Sequence, residues 1–202
     1  MKTLDEKTML EIMTVLAEKR PEFCSEADFQ FALGWEIKEK FHDVEIRFEC
    51  PALLDGKFYV EIDIVVKLNN ELFPIELKNP TKEGGRTTDN RCDMVRDIER
   101  LEKLQSKNLM VPDFTNSHIR EGFVIWLTDN EAYRKDTASV HNCDIRDGVR
   151  VNRDYLYHAG KKAGMPIAKI ANNYKIKWEK YKNGDDSNPL WYALIGISPK
   201  AK

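Results

Sequence analysis

Phe58-Tyr-Val-Glu-Ile-Asp-Ile-Val-Val-Lys67 and Glu71-Leu-Phe-Pro-Ile-Glu-Leu-Lys78, linked by Leu68-Asn69-Asn70, place three charged side chains where a hydrophobic core would otherwise be expected. Both segments are rich in β-branched and aromatic residues, which predicts two strands and a short turn. Side chains alternate faces along a strand, so Glu61 and Asp63 are expected on one face and Val60, Ile62 and Ile64 on the other. On the second strand Glu76 and Lys78 point one way, Ile75 and Leu77 the other. Pairing would gather Asp63, Glu76 and Lys78 into one polar patch. Two neighbouring carboxylates repel unless a cation lies between them, so the pattern predicts a divalent-metal site with a lysine beside it. The competing reading is a solvent-facing strand pair joined by an ordinary cross-strand ion pair.

Outward from this pair, Val44 to Glu49 alternates as a preceding strand. Thr3 to Lys19 carries Leu4, Met9, Ile12, Met13, Leu16 and Ala17 at helical spacing, and Pro21 stops it. Ser25 is a good N-cap for a second helix, with Asp28 at the capping-box position and an apolar series running to about Phe41. Asn79 to Arg91 is polar, centred on Gly84-Gly85, and reads as a loop. Asp93 to Lys107 reads as a third helix with the stripe Met94, Val95, Ile98, Leu101 and Leu104. Gly122 to Thr128 is a continuous apolar run, the signature of a strand covered on both faces. Asp147-Gly148, between Ile145 and Val149, reads as a hairpin turn. Tyr174–Trp178 and Leu190–Ile197 read as terminal strands. This order predicts an α/β (α+β) architecture: a central mixed sheet flanked by helices, with extra C-terminal strands.

The 202 residues suit a single domain, with a core over about 25–129 and a basic C-terminal extension over about 130–202. A hydrophobic content of 42% supplies a core, while no run of about 18 apolar residues offers a membrane span. The amino terminus lacks the apolar stretch of a secretory signal. Four scattered cysteines, none in a Cys-x-x-Cys pair, argue against a zinc knuckle or a disulfide framework and for reduced thiols in the cytoplasm. The net charge of −2 gives no overall attraction to polyanions, yet Arg146 to Lys182 is basic, with Arg150, Arg153, Lys161, Lys162 and Lys169 among its cations. That half either tracks phosphates or is a solvated surface.

Asp63 on one strand, Glu76-Leu77-Lys78 on the next and an acidic residue near the start of the preceding helix together resemble the PD-(D/E)xK nuclease superfamily, in a branch of small proteins. The likeness spans roughly Ser25 to Thr128 and implies a restriction-endonuclease-like αβββαβ core. The 12 residues between Asp63 and Glu76 suit a tight hairpin, and the proline that the family places before the aspartate is Ile62 here. A second Glu-x-Lys, Glu36-Ile37-Lys38, falls in a helix and lacks the strand context. The resemblance implies a Mg-dependent endonuclease acting on nucleic acid, most readily DNA. Asp63 and Glu76 would ligate Mg2+, which Mn2+ could replace, with the Leu77 backbone carbonyl as a third ligand, while Lys78 orients water or offsets charge. Glu26 either completes metal binding, as in many members, or serves as a helix-start acid favoured by the dipole.

Lys82, Arg86 and Arg91 follow the motif in the loop and are candidates for phosphate contact, as is Arg96. Arg96 and Arg100 also stand among Asp93, Asp97 and Glu99, so an intrahelical salt-bridge network is the other reading. Trp178 and Tyr181 either stack on bases or fill a sheet edge. His118, His141 and His158 show no metal spacing. A homodimer would supply two sites for duplex cutting. The alternatives are a catalytically silent nucleic-acid-binding or assembly subunit with this fold, and a metal-dependent RNase.

Overall fold

The computed structural model describes residues 3–84, 87–135, 143–152, 156–158, 166–181 and 189–198. In chain order its elements are helices α1 (Glu6–Lys19) and α2 (Glu26–Lys40), strands β1 (Glu45–Leu54), β2 (Phe58–Leu68) and β3 (Glu71–Lys78), then α3 (Thr87–Lys103). These are followed by β4 (His118–Ile119), β5 (Gly122–Thr128), a single turn of helix α4 (Ala132–Lys135), β6 (Arg150–Val151), β7 (Leu156–His158), β8 (Pro166–Lys169), β9 (Tyr174–Lys175), β10 (Trp178–Lys180) and β11 (Trp191–Ile197). The two helix starts are chemically explicit. Asp5 accepts from the Thr8 N–H at 2.8 Å and Ser25 accepts from the Asp28 N–H at 3.1 Å, each satisfying an amide that the first turn leaves without a partner.

The expected α+β class is observed. The main sheet runs β1-β2-β3-β5-β11-β10, with β4 beside β3. It is mixed: β3 lies parallel to β5 and β4, and the other neighbours are antiparallel. The parallel β3–β5 pair is connected through α3, the sort of crossover that parallel neighbours require. Two cores result. Met9, Ile12, Leu16, Phe29, Leu33 and Ile37 from α1 and α2 pack with Phe73, Ile75, Leu77, Phe123, Ile125 and Leu127. Met94, Val95, Ile98 and Leu101 of α3 pack with Leu72, Val124 and Trp126. β5 thus faces apolar layers on both sides, as its unbroken apolar run predicts.

Several expectations change. β1 runs past Glu49 to Leu54 and carries Pro51, and α3 begins at Thr87 rather than Asp93 and ends at Lys103. The alternation read along β2 does not hold: Val60 and Ile62 belong to the core on the α3 side, whereas Ile64, Val66 and Leu68 belong to the α1–α2 side. The cause is a kink shared by both strands. β1 pairs Phe48 with Ile64 and Cys50 with Ile62 but skips Glu49 opposite Asp63, and Glu49 has a φ of 49°. One residue in left-handed backbone reverses which face the rest of the strand presents. Asp147-Gly148 does form a turn, with Gly148 at φ 79°, but the strand after it pairs with β9. Trp178 and Tyr181 are buried, their polar atoms donating to the Ile145 and Arg20 carbonyls, so they are core and not base-stacking residues.

Leu68 pairs with Glu71, leaving Asn69 and Asn70 as a two-residue turn with φ of 51° and 67°. Positive φ at both positions is the backbone of a type I′ hairpin, which asparagine tolerates and β-branched residues resist. Asn69→Val should therefore cost about 1–2 kcal/mol in denaturant unfolding, and Asn69→Gly should cost nothing. Equal stability of the two variants would contradict this turn.

Candidate functional site

The site forms where β2 and β3 part. Their ladder ends at the Ile64–Ile75 pair, just where the next residues would be Asp63 and Glu76. The Leu77 N–H, released from the ladder, donates instead to Asp63 Oδ2 at 2.6 Å. Glu76 and Lys78 lie on the side of β3 opposite Ile75 and Leu77, toward α3, as strand alternation predicts. There they meet two residues of α3. Glu76 Oε1 accepts from Arg100 Nη1 at 2.9 Å, and Arg100 Nη1 is 3.3 Å from Asp97 Oδ1. Lys78 Nζ stands 3.7 Å from Asp97 Oδ2 and 3.7 Å from Glu26 Oε1, while donating to the Leu77 carbonyl at 2.7 Å. Glu26, in the first turn of α2, accepts from the Asn79 N–H at 2.9 Å through its other oxygen.

Burial makes this cluster electrostatically expensive. Glu76 is 0% exposed and Asp97 1%. Desolvation pushes the Glu76 carboxyl well above the ordinary carboxylate range; the Asp97 and Asp63 charges push the same way, and Arg100 opposes them. Asp97 is pushed up to about 7, mainly by burial, against the pull of Lys78 and Arg100. Burial disfavours the charged form of Lys78, but the Asp97, Glu26, Asp63 and Glu76 charges outweigh it and raise its pKa, so it stays protonated. Arg100 is raised for the same reason by Glu76 and Asp97, again against its own desolvation. Among the described residues, Glu76 Oε2 and both Asp97 carboxylate oxygens are buried with no hydrogen-bond partner. Buried carboxylate oxygens ordinarily find a donor or a cation.

Four residues proposed from sequence thus converge: Asp63, Glu76, Lys78 and Glu26. The proposed phosphate contacts fare differently. Lys82 sits exposed on a 3-10 turn (Lys82–Gly84), its own N–H held by Asp129 at 2.7 Å. Arg86 lies outside the described residues. Arg91 is not a loop residue: α3 begins before it, and its side chain is 2% exposed, bonded to the Ala132 carbonyl and over the Tyr133 ring. A guanidinium held there serves packing and cannot reach a phosphate backbone. Arg96 pairs with Asp93 at 2.6 Å on an exposed helix face, so the salt-bridge reading describes it. Glu36, in the other Glu-x-Lys, pairs with Lys19 at 2.8 Å.

Asp97 and Arg100 are the members that motif reading did not assign to the site. Asp97 lies three residues after Met94 and four before Leu101, on the buried stripe of α3, and a charge on an apolar stripe is the signal that identifies it. No protein-family model, no curated protein and no solved structure matches this chain.

The donor chemistry suits a hard divalent cation. Every candidate ligand is an oxygen, the Asp63 and Glu76 charges act on one another, and Glu76 Oε2 lacks a donor. Among the described residues no three His, Cys, Asp or Glu side chains are gathered as a ready-made ion cage. Mg2+ usually keeps several waters and takes only one or two protein carboxylates.

The titration has a definite sign. Asp97, raised to about 7, binds a proton in the folded protein that the unfolded chain has already lost above its ordinary pKa of 3.8. Its contribution to stability is therefore present at low pH and disappears as pH climbs to about 7, and Glu76 acts in the same direction. The melting temperature in EDTA should fall between pH 5 and pH 8, and the fall should be smaller in Asp97→Asn. A flat profile in the unsubstituted protein would contradict the buried-carboxylate arrangement.

Proposed function

We propose that the protein is a metal-dependent nuclease of the PD-(D/E)xK type that hydrolyses phosphodiester bonds, with DNA as substrate. The observation that carries this reading is the meeting of Asp63, Glu76 and Lys78 at the point where two strands separate, with Glu76 buried and one of its oxygens without a donor. Asp63, Glu76 and the Leu77 carbonyl would hold Mg2+. When bound, the ion lowers the pKa of a water and offsets charge on the scissile phosphate. Asp63 is fixed for its role by the Leu77 N–H, and Glu76 by Arg100. Lys78, protonated and only partly exposed, supplies a fixed positive charge beside the reacting phosphate oxygens. Glu26 and Asp97 hold the ammonium in place from either side.

A second reading, a nucleic-acid-binding subunit without catalysis, has one observation in its favour. Lys78 and Arg100 already deliver positive charge to Asp97 and Glu76, and Lys78 also covers the Leu77 carbonyl. A charge network closed in this way can exist without an ion.

A plasmid-nicking assay with Mg2+, Mn2+ or EDTA separates the two. Nicking is expected with either metal and not with EDTA, and Asp63→Ala or Lys78→Ala should each lower the rate by about a hundredfold or more, the worth of a preorganised charged group. Nicking that survives in both variants would remove this site from the chemistry. Metal binding by calorimetry without nicking would favour the silent subunit.

A further inference from the structure

We propose that Gln30 is the positioning residue of this site, locking the kink that aims Asp63 at Leu77 and Glu76; its catalytic consequence rests on the nuclease reading. Asp63 occupies the one place in β2 where the ladder to β1 is interrupted, opposite Glu49 in left-handed backbone. An interrupted ladder leaves a carbonyl to be satisfied from elsewhere. Gln30, 5% exposed on α2, donates from Nε2 to the Asp63 carbonyl at 2.6 Å and from the same nitrogen to Glu49 Oε1 at 2.6 Å. A side-chain amide nitrogen carries two hydrogens, so both are used, one on each strand. Asp63 is then held at both ends, its carbonyl by Gln30 and its carboxylate by the Leu77 N–H.

The chemical type matters. A lysine or arginine could make the same two contacts but would add a cation between Glu49 and the carboxylate cluster. Gln30 donates twice without adding charge. It also stands one helical turn after Glu26, so a single face of α2 reaches both diverging strands: Glu26 to Lys78 and the Asn79 N–H, Gln30 to Asp63 and Glu49. Without the amide, the Asp63 carbonyl is left without a donor, and the kink can relax toward regular pairing with the carboxylate rotated away from Leu77.

Gln30→Met, of similar length but with no donor, tests this. In Mg2+-dependent plasmid nicking, kcat should fall about 10- to 100-fold, the usual cost of losing a partner that orients a metal ligand, with KM for the plasmid unchanged. Amide hydrogen exchange at Leu77 should quicken about tenfold, while exchange along β5 and β11 stays as it was. Should Gln30→Met not fold, Gln30→Leu, which also lacks a donor, is read in the same two assays. Exchange at Leu77 within about twofold of the unsubstituted protein, for a folded variant, overturns the proposal. If the unsubstituted protein nicks no plasmid, the nuclease reading fails by itself and the exchange measurement still decides the role of Gln30.

Discussion

Glu76 is a carboxylate shut away from water between the sheet and α3, and its compensation by Arg100 organises everything around it. An isolated buried charge costs several kcal/mol, and removing one partner of a buried pair is strongly destabilising. The structure meets this cost by alternation of sign: Glu76, Arg100, Asp97, Lys78 and Glu26 form a continuous chain of contacts from the core to the surface. Two of the links join β3 to α3, one spans a turn of α3, and one joins β3 to α2. The charge chain therefore also fixes α3 against β3 and β3 against the start of α2.

The second constraint is the kink at Glu49 and Asp63. A regular hairpin would have carried Ile62 and Ile64 into one core. The kink sends them into different cores, and so lets one long hairpin contribute to both layers. It also ends the β2–β3 ladder where the charged residues begin, which frees the Leu77 N–H for Asp63. Strand separation and charge placement are thus one structural event. Glu102, buried near the end of α3, shows the same economy elsewhere: it accepts from the Ala171 and Asn172 N–H groups and the Tyr174 hydroxyl, tying the C-terminal segment to the helix.

Much of this was legible in local pattern. The α1 and α2 periodicities, the Ser25 cap and the apolar run of β5 depend on neighbouring residues, and so does the hairpin with its Asn69-Asn70 turn. Asp63, Glu76, Lys78 and Glu26 could be proposed because strand alternation and motif spacing are also local. The start of α3 was not legible: Thr87 to Arg91 is polar, and the burial that holds Arg91 comes from Ala132 and Tyr133, about forty residues away. The face switch at Asp63 was equally hidden, because it follows from a left-handed residue in the neighbouring strand and from a glutamine on a helix.

The sequence by itself determined an α+β chain of helices around a mixed sheet and placed an aspartate, a glutamate and a lysine on adjacent strands. Only the tertiary structure decided that Asp97 and Arg100 join them, that Arg91 and Arg96 do not, and that Gln30 pins the strand at Asp63. The physical reason is range. Periodicity and capping act over a few residues, whereas the field at a buried carboxylate is set by whichever charges the fold brings within about 4 Å, whatever their distance along the chain.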